Sequence, residues 1–262
     1  MIIDSHAHIF PDKIAQKAAN SIGDFYQMGI FYDGTLSSLL KNGAANGIDK
    51  FLVHSVATVP QQVESINSYL AGEVAKHSDK LIGFAAMHPD CEDIEGEISN
   101  ILNAGFKGVK LHPDFQRFNI DSPKAMRIYD AIQGKLPLLI HTGDYRYEYS
   151  HPKRLVNVLE NFPNLDVIGA HFGGWSQWGE AAQLLAGKKV YVDTSSSLYE
   201  LAPEQAKEII KMYGVDRVLF GTDYPMWDFT IELERFRALG LSLDDSEMLL
   251  HENLENLLLS YR

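Results

Sequence analysis

The chain has 262 residues, 45% of them hydrophobic and 22% charged, the composition of a well-cored globular protein and not of a disordered one. Its 23 Lys and Arg stand against 35 Asp and Glu, a formal net charge of −12, so there is no basic surplus to displace counterions from a nucleic acid; an anionic small molecule would need only a local cationic pocket. The single cysteine, Cys91, excludes a disulfide framework and a cysteine-only metal site.

In chain order, short β-branched or apolar runs alternate with stretches of helical periodicity. The start, Met1-Ile2-Ile3-Asp4-Ser5-His6, lacks the basic and apolar regions of a signal peptide and opens with the first strand, Ile2-Ile3. The segment 10–34 carries Phe10, Phe25, Tyr26, Phe31 and Tyr32 and is too long for an ordinary strand-to-helix connection. It is expected to be an insertion, loop or helix, over the mouth of the fold, acting as a lid, a packed loop or a homodimer contact. Strands follow at 51–53, 81–84, 109–111, 138–140, 167–169, 190–192 and 218–220, each bounded by Pro, Gly or Asp and apolar enough to be buried on both faces. Helices are expected over 61–77, 92–103, 123–134, 152–160, 203–213 and 246–259, with Pro123 and Pro203 at first helical positions.

No linker, low-complexity tract or charge block divides the chain, and no glycine-rich phosphate loop follows the first strand, as an open doubly wound sheet would have. Eight strands alternating with helices over this length predict one domain, 1–262, folded as a (β/α)8 TIM barrel. No apolar run of about eighteen residues predicts a membrane span, so a cytoplasmic protein with a small-molecule substrate, and with neither nucleic acid nor membrane as partner, is expected.

Seven of the ten histidines stand at or just past strand ends: His6 and His8 after strand 1, then His54, His88, His112, His141 and His171 after strands 2 to 6; Asp223 follows strand 8. In a barrel these ends converge on one face, where active sites are built. In an extended strand His6 and His8 point the same way and can share one ion. Imidazole and carboxylate suit a divalent metal that lowers the pKa of water, and Asp223 could both touch that metal and take the proton. His77 and His251 lie within helical stretches as surface residues, and His151, before Pro152, is read as a helix entry. His54 and His88 fit polar plugs as well as substrate contacts.

Five motifs then resemble the amidohydrolase superfamily, and more narrowly its amidohydrolase-related branch that includes aminocarboxymuconate-semialdehyde decarboxylase: Asp4-Ser5-His6-Ala7-His8, Gly108-Val109-Lys110-Leu111-His112-Pro113, Ile140-His141-Thr142-Gly143, Gly169-Ala170-His171-Phe172-Gly173-Gly174 and Phe220-Gly221-Thr222-Asp223-Tyr224-Pro225. The resemblance runs nearly end to end. It implies one divalent ion, Zn²⁺ first with Mn²⁺ or Fe²⁺ as alternatives, on His6, His8, His141 and Asp223, and His171 as the residue that orients or deprotonates water. Tyr145 and Arg146 are candidate substrate contacts by position, with a solvated loop as the alternative. For Lys110, and for His112 two residues on, three roles compete: anchor of a substrate carboxylate, interior lysine paired with a carboxylate, and, last, a carbamylated bridge to a second metal. The implied reaction is hydrolysis of a small carboxylate-bearing molecule at an amide, lactone or related bond. The alternative is nonoxidative decarboxylation of an unsaturated or aromatic acid, for whose extra segments this chain leaves little room. A barrel that binds without turnover and a barrel nuclease are the less favoured readings.

Overall fold

The computed structural model describes residues 1–261. In chain order its elements are β1 (Ile3–His8), α1 (Asp12–Tyr26), α2 (Leu36–Ala45), β2 (Lys50–His54), α3 (Val63–Lys76), β3 (Leu81–Ala86), α4 (Ile94–Asn103), β4 (Gly108–Leu111), α5 (Pro113–Gln116), α6 (Pro123–Ile132), β5 (Leu138–Ile140), α7 (Pro152–Asn161), β6 (Val167–Gly169), α8 (Trp178–Leu185), β7 (Tyr191–Asp193), α9 (Pro203–Tyr213), β8 (Val218–Leu219), α10 (Phe229–Ala238), α11 (Leu243–Glu247) and α12 (Asn253–Leu259). A π turn over Met248–Glu252 joins α11 to α12. The strands run parallel in the order β1 to β8. Closure from β8 to β1 rests on three backbone hydrogen bonds, Ser5 N to Phe220 O at 2.9 Å, Asp223 N to His6 O at 2.9 Å and His8 N to Tyr224 O at 2.8 Å. The buried Asp4 carboxylate stitches the same seam by accepting from Thr222 N at 2.9 Å and Thr222 Oγ1 at 2.5 Å. This is the predicted TIM barrel.

The predicted helices begin where local chemistry starts them. Asp93, Ser122 and Ser242 cap α4, α6 and α11 with their side chains, and His151 caps α7. Five helices, the four-residue α5 among them, lie outside the sequence expectation or are left open by it. Helix α1 fills most of the segment 10–34; α2 holds Gly43 and two serines, α8 has only eight residues, and α10 mixes Phe, Thr and Ile. Such residues have modest helix propensity, and packing on the barrel makes up the difference. No described helix is long and apolar enough to cross a membrane.

The barrel interior is divided by height. Ile3, Leu52, Phe84, Leu139, Ile168 and Leu219 fill the lower half, and Leu254 and Leu257 of α12 stop its floor. Gly108 makes room there: a Cβ on it would stand 2.3 Å from the Phe84 ring. Above this apolar plug the inward positions are polar. The outward faces of the strands, including Ala7, Val53, Val109 and Leu111, pack against the helices in the main core.

Candidate metal centre at the barrel mouth

Strict alternation along β1 would put Ile3 and His6 on opposite faces. A register shift against β2 between Asp4 and Ala7 breaks it, so Ile3 joins the lower plug while His6 and His8 enter the polar upper layer. His54 ends β2, Lys110 lies in β4 with His112 two residues on, His141 directly follows β5, and Asp193 ends β7. His171 and Asp223 follow β6 and β8 with backbone φ of 61° each, a left-handed conformation that costs a non-glycine residue about 1 kcal/mol. Asp193 Oδ1 accepts from His171 N at 2.9 Å, and His6 O accepts from Asp223 N, which holds both bends in place. All of these side chains are buried.

Hydrogen-bond partners that can only accept define the imidazole tautomers. His6 donates from Nδ1 to Asp193 Oδ2 at 2.9 Å, leaving the Nε2 lone pair directed inward. His141 donates from Nε2 to Gly143 O at 3.0 Å, leaving Nδ1 inward, and His171 donates from Nδ1 to Ser195 O at 3.0 Å, leaving Nε2 inward. The free lone pairs of His141 Nδ1 and His171 Nε2 then face each other at 3.0 Å, an arrangement that calls for a cation or a proton between them. His6 Nε2 and His8 Nε2 each lie 3.5 Å from Asp223 Oδ1, and beside them both nitrogens of buried His54 lack a hydrogen-bond partner among the described residues. His6, His8 and His54 bring three nitrogens within 4.8 Å of one another.

The charge state agrees with a ligand set. Burial, reinforced by Lys110, pushes His6 down to about 4; burial also lowers His8, and lowers His54, His112 and His141 strongly, so these rings are neutral at pH 7. Burial alone would raise Asp223, but its hydrogen bond with His8 and the neighbouring His6 and His171 hold it well below the usual carboxylate range. Its second oxygen accepts from Ser196 Oγ, which in turn accepts from Trp227 Nε1 at 2.8 Å. Neutral imidazoles with inward lone pairs, an ionised carboxylate, and acceptors behind them that fix each ring have the chemistry of a donor set that could hold a divalent metal ion.

The other sequence candidates separate. Lys110 is buried with Nζ 3.1 Å from His6 Nε2, and burial pushes it down to about 8 against the opposing pull of Asp193 and Asp223; its direct partner is thus an imidazole rather than a carboxylate. His112 stacks on His141 at 4.0 Å between ring centroids and on Phe115 at 3.7 Å, and shares a 3.1 Å hydrogen bond with Tyr26 Oη. Arg146 forms a two-point pair with buried Asp144 and donates to Phe25 O at 2.7 Å, so it pins the end of α1 over the mouth. Tyr145 is 73% exposed, and neither it nor Arg146 lines the chamber at the centre.

Sequence reasoning missed Asp193, Ser195, Ser196, Asp114 and the role of Tyr26. Asp114 Oδ2 lies 3.3 Å from His141 Nε2 and accepts from Ser150 Oγ at 2.5 Å. An Asp at the end of strand 7 followed by Thr and three Ser was the one available signal. Tyr26, Ile22 and Phe115 close a small chamber with His6, His8, His112, His171 and Asp223. A larger cleft of about 720 Å³ adjoins it, sharing His8, Ile22 and Phe115.

An eight-stranded barrel whose mouth carries a buried His/Asp donor set defines a class of metal-site enzyme barrels. Residues 3–258 match the family model described as amidohydrolase, and the chain belongs to the amidohydrolase superfamily. Among solved structures, an uncharacterised TIM-barrel protein of Bordetella bronchiseptica is 22% identical, with 99% of each chain covered and a TM-score of 0.80. A dihydroxybenzoic acid decarboxylase of Polaromonas sp. JS666, solved with manganese and the inhibitor 2-nitroresorcinol, is 16% identical, covering 100% of this chain and 97% of its own, with a TM-score of 0.76. A candidate 2-pyrone-4,6-dicarboxylic acid hydrolase of Pseudomonas putida is 22% identical, covering 100% and 98%, with a TM-score of 0.69. Both the decarboxylase and the hydrolase are matched over nearly their whole lengths, so these likenesses do not separate the two reaction classes.

Proposed function

We propose that the protein is a metal-dependent hydrolase that uses water to cleave an amide, lactone or related C–N or C–O bond of a small carboxylate-bearing molecule. His6, His8, His141 and Asp223 would hold one divalent ion, zinc first, with manganese or iron(II) also suited to these donors. When bound, such an ion supplies Lewis acidity toward a carbonyl oxygen and toward water. Ionised Asp223 accepts the proton of the attacking water and returns it to the leaving group. His171, whose Nε2 lone pair is aimed inward by its bond to Ser195 O, is a second acceptor for that proton. Asp193 keeps His6 in the tautomer with Nε2 free, and Tyr26, Ile22 and Phe115 supply apolar lining to the chamber.

The observation that carries hydrolysis is the state of the two groups flanking the donor set: Asp223 is ionised and His171 offers a lone pair, so both accept protons. Decarboxylation of an unsaturated or aromatic acid instead needs a group that delivers a proton to carbon. Lys110, a buried ammonium near 8 beside His6, is the group on which that second reading would rest.

The test is a panel of lactones and amides, including 2-pyrone-4,6-dicarboxylate, set against hydroxybenzoates such as 2,6-dihydroxybenzoate. Acid release from lactones is followed by pH-stat, amine release from amides by fluorogenic amine labelling, and gas release by infrared CO₂ detection. Acid or amine release without CO₂, with one solvent oxygen in the product and loss of turnover in Asp223→Asn, is the expected result. CO₂ release with solvent deuterium on the carbon that carried it would overturn hydrolysis in favour of decarboxylation.

A further inference from the structure

The cleft beside the metal centre has a definite chemistry. At about 720 Å³ it is in the size range of small-molecule sites. Ile14, Lys17, Ser21 and Phe25 of α1, spaced three and four residues apart on one helix face, form one wall. Phe115 and Arg117 from α5 and the residue after it stand on another side. Much of the polar lining is already engaged within the protein: Ser55 Oγ donates to Ile9 O, Tyr69 Oη to Phe10 O, and Thr58 Oγ1 to Gln62 Oε1. What the cleft offers a ligand is therefore mostly apolar surface from Ile14, Phe25 and Phe115, plus two exposed charges; its one acidic lining residue, Asp114, is buried and accepts from Ser150 Oγ.

Those charges are Lys17 and Arg117, both exposed at the rim. Among the described residues neither has a carboxylate within 4.0 Å. In a chain with 35 acidic side chains against 23 Lys and Arg, two unpaired cations on one apolar cleft are a local reversal of the overall charge. The inner end of the cleft is lined by His8, a residue of the donor set.

We propose that the substrate has, beyond the bond that reacts at the metal centre, an apolar body that lies in this cleft and a second anionic group that Lys17 and Arg117 hold at its rim. The assignment of the reacting end rests on the metal-centre reading above; the cleft's preference for an apolar anion does not require turnover. Lys17 and Arg117 are specificity residues in this scheme and leave the chemistry at His6, His8, His141 and Asp223 untouched. Two exposed cations at screened distances are expected to contribute about tenfold in affinity.

A matched pair of fluorescent probes tests this: 1-anilinonaphthalene-8-sulfonate and its uncharged parent N-phenyl-1-naphthylamine, titrated into the full chain with and without added zinc. The wild type is expected to bind the sulfonate about tenfold more tightly than the parent. In Lys17→Gln/Arg117→Gln the sulfonate should fall to the parent's affinity while the parent is unchanged, and Lys41→Gln/Lys107→Gln, which removes two exposed lysines outside the cleft lining, should match the wild type. Absence of binding by either probe, equal affinities in the wild type, or a sulfonate preference that survives the cleft variant or is lost in the control variant would each overturn the proposal. Failure to bind zinc with the probe preference intact would instead remove the metal-centre reading and leave the cleft assignment standing.

Discussion

Asp193→Asn isolates the group that sets the electronic state of the centre without changing its shape. The carboxylate is surrounded by donors: His6 Nδ1 at 2.9 Å on Oδ2, and His171 N at 2.9 Å, Ser195 N at 3.1 Å and the Ser195 hydroxyl on Oδ1. An amide of the same size has one acceptor oxygen and two N–H donors. If its NH₂ turned toward His171 and Ser195, three donors would face it in a fully buried position. The cheaper arrangement keeps the oxygen there and turns NH₂ toward His6, whose proton must move from Nδ1 to Nε2. That places an N–H where the lone pair faces Asp223 Oδ1 at 3.5 Å. Loss of an orienting carboxylate behind a metal-bound imidazole weakens metal binding by about 10–100-fold, roughly 1.4–2.7 kcal/mol, and removal of a buried charge-assisted bond lowers folding stability by about 1–3 kcal/mol. Competition between the protein and a chromogenic chelator for zinc measures the first, and thermal melts of metal-free protein the second. Zinc affinity within twofold of wild type in a folded variant, with ¹⁵N spectra still showing His6 protonated at Nδ1, would refute the tautomer argument.

Further expectations address the proton acceptor, the pH response and the scaffold. His171→Ala should retain metal by elemental analysis while turnover falls roughly 10²–10⁴-fold; unchanged kcat would remove it from the proton pathway. Because His6 is pushed down to about 4 in the folded protein, the folded state binds fewer protons than the unfolded chain below pH 6.5, so stability present above that pH is lost on acidification. From His6 alone the loss approaches about 3 kcal/mol by pH 4, and buried His8, His54, His112 and His141 shift in the same direction. They are opposed by buried Asp4, Asp114 and Glu232, each pushed up to about 7 by burial; a metal-free melting temperature that rises between pH 7 and pH 5 would show that the carboxyls outweigh the imidazoles and contradict this. Arg146→Ala strands the buried Asp144 carboxylate and frees Phe25 O, and should cost roughly 3 kcal/mol and admit protease cleavage within 10–34; wild-type melting and proteolysis would dismiss the pinning role. Gly143→Ala should destabilise by more than about 2 kcal/mol, because φ is +79° and the new Cβ would stand 2.5 Å from Gly174 backbone; an unchanged denaturation midpoint would show that the loop yields.

The barrel and the composition of the centre were legible because both are written locally. A strand buried on both faces is a short apolar run, and the residue after it is polar only where the chain reaches a site or a turn. His141 after 138–140 and Asp223 just after 218–220 could therefore be placed at one mouth from spacing alone. The shift in β1 could not be read in this way. Nothing in Ile3-Asp4-Ser5-His6 announces that Ile3 and His6 share the interior, since the irregularity exists only against the register of β2.

Roles that depend on partners far along the chain were likewise closed to the sequence. Asp193 resembles any turn aspartate until His6, 187 positions away, is brought to 2.9 Å from it. Arg146 suits a substrate contact by position, but Phe25 O, 121 residues earlier, and its neighbour Asp144 take three of its five side-chain donors. Lys110 is assigned to His6 by a contact across 104 residues. The chain by itself thus determined the eight-stranded plan, the neutral-imidazole and carboxylate chemistry and the end of the barrel where it collects, because these follow from side-chain type and strand period. Only the tertiary structure decided which ring nitrogens face inward, which charges are already paired and where an apolar cleft meets the centre, because tautomers, ion pairs and cavities arise between residues that are neighbours only after folding.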